Sequence, residues 1–280
     1  METKILKSKS NKNQEQLALI TGAASGIGYY LAKLLAKGGY NLMLVDLDEK
    51  KLKSAKDHIQ EKYSVDVRIL VKNLSNPSAA IDIAEALTDE SIDVLVNNAG
   101  FGLFGRFSDT NWKRESDMLN LHVIITTHLT KLILKGMVSR GHGKILNVSS
   151  LAAFQPGPLM SIYYASKAYL LSFSEAIAKE LKGTGVTVTA LCPGPTKTGF
   201  QKAVSKTAIK NRIRVNMASA KAVAKYGYDA MMNGKTVAIP GRMNKLLANL
   251  PRFIPRNLVT SIVKKIQEKN RPEKIRSLAS

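Results

Sequence analysis

The sequence has a single cysteine, Cys192, so it can form no internal disulfide, and a reducing compartment suits it. Its four histidines, His58, His122, His128 and His142, stand at no ligand spacing with cysteine or carboxylates, and no catalytic metal is expected. No run of about 18 apolar residues is present, so no membrane-spanning helix is expected. There is no internal repeat, no low-complexity block and no linker rich in Pro, Gly or Ser. One domain is therefore expected rather than two. Residues 1–16 are polar and basic without an apolar centre, which reads as a disordered lead-in and not as a secretory signal.

Acidic residues are also scarce. There are 21 of them against 42 Lys and Arg, a formal net charge of +21. The imbalance is local. Residues 17–196 carry 19 Lys/Arg and 16 acids, whereas residues 197–280 carry 19 and 3. Such asymmetry points to an acidic partner for the C-terminal part: a membrane surface, nucleic acid or an anionic substrate.

What is present alternates. Short apolar runs at 17–21, 41–46, 67–71, 92–97, 144–149, 186–191 and 236–239 read as strands. Helical patterns separate them, ending near residues 37, 63, 87, 140, 181 and 232. This alternation predicts an α/β fold, a parallel sheet of about seven strands with helices on both faces, over residues 17–240. Residues 241–280 form a basic extension with an amphipathic helix near 255–269.

Between the first strand and first helix lies T-G-A-A-S-G-I-G (21–28). Gly22, Gly26 and Gly28 let the backbone turn sharply and approach a diphosphate, which the helix N-terminus attracts. Asp46 ends the second strand, 18 residues beyond Gly28. A carboxylate there can accept the adenosine ribose hydroxyls and repel a 2′-phosphate, which favours NAD over NADP.

Tyr163 and Lys167 are four apart at the start of a long apolar segment, so on a helix they share a face. A nearby ammonium stabilises a phenolate, while burial opposes it. Lowering a phenol by about 3 pKa units takes roughly 4 kcal/mol. One Lys falls short of that, and a second positive charge is expected nearby.

These motifs, with N-N-A-G (97–100), Asn120, Ser150, Y-Y-A-S-K (163–167) and C-P-G-P-T-K-T (192–198), resemble the short-chain dehydrogenase/reductase family over residues 17–240. The resemblance implies a Rossmann-type doubly wound sheet and an NAD(P)-dependent oxidoreductase acting between alcohol and ketone. It implies Tyr163 as general acid/base and Ser150 as hydrogen-bond partner of the substrate oxygen. Lys167 would bind the nicotinamide ribose and lower the Tyr163 pKa, with the oxidised nicotinamide as the second positive charge. Asn120 would hold a water in a relay from Lys167 to solvent. Cofactor contacts are implied for Gly22, Ser25, Gly26, Ile27 and Gly28, for Asp46, for Asn98, Ala99 and Gly100, and for Pro193, Gly194 and Thr198. The family usually has Asp after the third strand. Here Asn73-Leu74 stands there, and an Asn oxygen can still accept the adenine amino group.

The expected substrate loops, 101–107 and 151–162, offer Phe101, Leu103, Phe104, Leu151, Phe154, Leu159 and Met160. They suggest a lipophilic substrate such as a steroid, a fatty acyl group or a lipophilic ketone. The loop 199–217 adds Lys202, Lys206, Lys210, Arg212 and Arg214, which could attract an anionic group such as acyl phosphopantetheine.

In the tail, Leu258, Val259, Ile262, Val263 and Ile266 fall on one side of a helix. It either docks on its own domain or a subunit partner, which is preferred, or makes a peripheral membrane contact through 242–280. Nucleic acid is disfavoured, since no recognition motif accompanies the charge. A homodimer or homotetramer paired through helices 111–140 and 163–182 is implied by the resemblance, and a cytoplasmic location is expected. Two other classes stay open: a catalytically silent cofactor-binding scaffold, and a membrane-recruited protein acting through its basic tail.

Overall fold

The computed structural model describes residues 16–88, 90–200 and 217–270. The lead-in 1–15 and the basic cluster at 202–214 lie outside the described residues. Strands β1 (Leu17–Thr21), β2 (Asn41–Asp46), β3 (Val67–Val71), β4 (Ile92–Asn97), β5 (Gly143–Val148) and β6 (Val186–Leu191) form one parallel sheet. Two-residue strands β7 (Thr196–Lys197) and β8 (Ala218–Ser219) pair with each other, apart from that sheet. The edge strand β9 (Val237–Ala238) completes the order β3-β2-β1-β4-β5-β6-β9.

The strands are nearly all apolar because both faces are covered. In β1, Ala18 and Ile20 enter one core cluster while Leu17 and Leu19 enter the other, as a period of two requires. The first cluster is closed by α1 (Gly26–Lys37), α2 (Glu49–Gln60) and α7 (Ala220–Met232), through Leu31, Leu35, Leu52, Ile59, Val223 and Met231. The second is closed by α3 (Ala79–Glu85), α5 (Thr126–Arg140) and α6 (Ser161–Glu180), through Ile83, Leu129, Met137 and Ile177. Polar caps start several helices: Asp48 accepts from Lys51 N before α2, and Ser219 accepts from Ala222 N before α7.

The pattern over 111–140 predicts one unbroken helix. The structure has α4 (Trp112–Leu119), then a π-helical turn at Asn120–Ile125, then α5. The Thr126 hydroxyl donates to Leu121 O at 3.0 Å, five residues back, matching the wider spacing. By length and composition alone, Trp112–Arg140 is apolar enough to cross a bilayer. Leu121, Ile125, Leu129 and Met137 commit it to the sheet instead, as a core helix.

From β1 the chain winds outward through β2 and β3, then crosses back to lay β4 on the other side of β1 and winds the opposite way. That reversal opens a crevice at the carboxyl ends of β1 and β4. The tail adds α8 (Arg242–Asn249), a 3-10 turn at Leu250–Arg252 and α9 (Arg256–Asn270). It docks on its own domain through buried Ala248, Val259 and Val263. Leu258 and Ile262, expected on the same docked side, remain 53% and 43% exposed.

Candidate active site

The glycine loop leaves β1 and enters α1. Gly22 has φ +65°, and a Cβ there would lie 2.7 Å from Asn98 Nδ2. A Cβ on Gly28 would lie 2.2 Å from Gly22 O. Both positions therefore need glycine, and the bare backbone leaves a cradle in front of the α1 N-terminus that Ser25 begins. Asn98 Nδ2 donates to Thr21 O and Gly22 O, each at 3.0 Å, tying the β4 loop to this cradle. Thr198 covers it from the other side, its methyl facing Gly26.

Asp46 lies at the far end of the crevice. Its Oδ2 accepts from Ala24 N at 3.0 Å and its Oδ1 from Leu47 N and Asp48 N at 2.7 and 3.1 Å. The carboxylate thus braces the glycine loop from β2 while facing the cavity. Lys51 and Lys72 line the same end, although neither falls within 22–28. Lys51 pairs with Asp48, and Lys72 with Asp82. Asn73 Oδ1 accepts from Ser75 N at 3.0 Å, closing a local turn that presents Asn73 and buried Leu74 to the cavity.

Ser150 follows β5, and Tyr163 and Lys167 stand in the first two turns of α6. All three line one cavity with Gly100, Pro193 and Gly194. Burial pushes the Tyr163 phenol up to about 12, against the neighbouring Ser150 hydroxyl, which draws it down. Lys167 does not offset this. Its Nζ donates to Val148 O at 2.9 Å and lies 5.9 Å from the Tyr163 ring centre. Burial lowers the Lys167 ammonium to about 8. A buried phenol without a bonded cation favours its neutral form, and Lys167 alone falls short of the lowering, as the sequence implied.

Asn120 opens the π turn and is not among the residues lining the cavity. Its Nδ2 lies 3.5 Å from Ser75 O. Two residues on, His122 is fully buried, and burial followed by the Lys167 charge holds it well below the usual imidazole range. Its Nε2 accepts from Phe101 N at 3.2 Å, so its proton sits on Nδ1 and is donated to Ser166 Oγ at 2.9 Å. Ser166 Oγ in turn donates to Tyr163 O at 2.8 Å. A second buried chain runs Thr130–Asn97–Asn147–Ser174 across β4 and β5 at 2.9–3.0 Å and joins α5 to α6.

The cavity holds about 830 Å³. Its apolar lining includes Phe101, Leu151, Met160 and Phe200, with Leu247 and Ile266 from the tail. Gln267 Nε2 of α9 donates to the Tyr164 hydroxyl at 2.8 Å. Gly157 leaves the room Tyr164 needs, since a Cβ there would meet its ring at 2.1 Å.

A family model described as short chain dehydrogenase matches residues 16–209. This chain is a short-chain dehydrogenase/reductase. It is 32% identical over 243 residues to the very-long-chain 3-oxoacyl-CoA reductase of Rattus norvegicus, across 85% of this chain and 76% of that protein. It is 37% identical over 187 residues to hydroxysteroid dehydrogenase-like protein 1 of Gallus gallus, across 65% of this chain and 56% of that protein. A solved short-chain dehydrogenase from Sphingobium yanoikuyae in complex with NADPH superposes with a TM-score of 0.74 at 26% identity, covering 86% and 97% of the two chains. The protein is accordingly an oxidoreductase of the CH-OH/C=O type that works with NAD(P).

For this short-chain dehydrogenase, sequence reasoning missed His122, Ser166, Tyr164 and the tail residues of the cavity. His122 carried no local signal, because its partners lie 21 and 44 residues away. Tyr164 was visible as the neighbour of Tyr163. The tail residues were visible only as one side of an amphipathic helix.

Proposed function

We propose that this dehydrogenase interconverts a secondary alcohol and a ketone on a lipophilic substrate of fatty-acyl or steroid character, with Tyr163 as general acid/base. The observation carrying this reading is the convergence of Ser150, Tyr163 and Lys167 in one cavity with an apolar lining. The names of the relatives point the same way. The glycine cradle and the α1 N-terminus suit a dinucleotide diphosphate, and a bound nicotinamide supplies or accepts the hydride. The residues of the chain handle the proton. A phenol held near 12 is fully protonated at neutral pH, the form a carbonyl needs from its donor during reduction. Ser150 hydrogen-bonds that same carbonyl oxygen. Lys167, at about 8, is mostly cationic at neutral pH; 5.9 Å from the Tyr163 ring centre, it favours the phenolate left after transfer through space and not by a hydrogen bond. Asn120 belongs to the reading only as part of a relay reaching Lys167 through water.

NAD is the proposed cofactor, on the strength of Asp46. Lys51 and Lys72 argue for the 2′-phosphate of NADP, but each is held by a carboxylate. The reading includes a homodimer or homotetramer, supported by the exposed Trp112, Ile124, Leu132, Val138 and Tyr169 on α4 to α6 and the turn between them. It also includes a cytoplasmic location. The test is oxidation of NADH and NADPH with long-chain 3-oxoacyl and steroid ketones, beside Tyr163→Phe. Turnover should fall roughly 10²–10⁴-fold in the variant, with dinucleotide affinity kept. Dinucleotide binding without turnover on any ketone or alcohol would favour the silent scaffold.

A further inference from the structure

We propose that the outer face of α8 and α9 seats on an anionic phospholipid bilayer and holds the cavity mouth against it. The tail has two kinds of apolar residue. Ala248, Val259 and Val263 are buried and account for its docking. Met243, Leu246, Leu250 and Phe253 are left 65%, 59%, 43% and 83% exposed, and Leu258 and Ile262 extend the set along α9. So many large apolar side chains left exposed on α8, the turn after it and α9 are a surface that water does not favour. Residues 242–270 also carry seven Lys and Arg against one acid, Glu268. Apolar side chains set among cations match an anionic interface, where the chains enter the acyl boundary and the cations meet phosphates.

The same surface fits other occupants poorly. A second copy would bring seven cations against seven identical ones. Nucleic acid needs stacking rings, and Phe253 is the one aromatic residue in 242–270. The location adds a further reason. Leu247 and Ile266 line the cavity yet are 42% and 52% exposed, so the same two helices present apolar side chains both to the site and to solvent. Seating does not depend on the catalytic reading. Its consequence, substrate passing from the bilayer straight into the cavity, rests on the lipophilic substrate proposed above.

The test is co-sedimentation of the full chain with phosphatidylcholine vesicles, with and without phosphatidylserine, at low and high salt and without substrate. Partition into the serine-lipid vesicles, released by salt, is expected. Leu246→Asp with Phe253→Asp should weaken it on the order of tenfold or more. Both residues are exposed, and an unchanged NADH titration will show that the variant is folded. Three results would each overturn the proposal. One is no sedimentation with serine-lipid vesicles, and another is equal sedimentation of the variant. The third is a dimer in light scattering that the variant dissolves, which would mean that a second copy covers the face. None of the three bears on turnover, so the dehydrogenase reading is judged separately by Tyr163→Phe.

Discussion

Lys167 is a cation kept inside the protein with one carbonyl as hydrogen-bond partner, and that has a cost readable by pH. Unfolded, its ammonium holds the proton to about 10.5, whereas folded it releases it above about 8. Between those values the unfolded chain binds more protons, so stability rises with pH across the window. Below pH 8 both states are charged and the penalty is complete, on the order of 3 kcal/mol at most. Lys167→Met should therefore unfold at higher urea than the parent at pH 7, less whatever the unpaired Val148 carbonyl costs. Its advantage should shrink between pH 8 and 10.5, and turnover should be lost. An advantage that does not change with pH would mean burial is not the cause. Asp46 gives a second prediction: Asp46→Ala should shift the ratio of NADH to NADPH affinity toward NADPH. Because the carboxylate also accepts three backbone N–H groups, both affinities should fall somewhat as the glycine loop loosens. An unchanged ratio would remove Asp46 from cofactor choice.

The elements differ in how firmly they belong to the fold. Leu19 in β1 is fully buried in the sheet, and Leu19→Ala should lower global stability by about 2–5 kcal/mol in urea unfolding. The tail is held by few buried side chains. Val259→Ala with Val263→Ala should free α9 and speed proteolysis near 250–256, while the main unfolding transition barely moves. Loss of both together would make tail and sheet one cooperative unit. The strands and most helices were legible in sequence because a parallel sheet covered on both faces demands short apolar runs, and this chain supplies them at regular intervals. Tyr163 and Lys167 were legible because their spacing is local, and Ser150 only through the family resemblance. The π turn was not, since it lies inside an otherwise ordinary helical pattern and the Thr126 hydroxyl bonded to Leu121 O leaves no periodic mark. The split of α9 into docked valines and exposed leucine and isoleucine was not legible either. Both kinds obey the same periodicity, and only the domain beneath decides which are covered.

At the scale of the whole molecule the charge is lopsided. Residues 17–196 are nearly balanced, while 197–280 hold 19 Lys and Arg against 3 acids. Repulsion among those cations opposes the compact state, and salt screens it. The melting temperature should rise as sodium chloride is raised from low to moderate concentration. A flat response would mean that local acids already neutralise the cluster. The position of the tail across the cavity also sets an order of events during synthesis. The ribosome releases the glycine loop about 240 residues before Ile266 and Gln267. A nascent chain therefore completes its dinucleotide crevice well before the wall that closes the other end of the cavity exists.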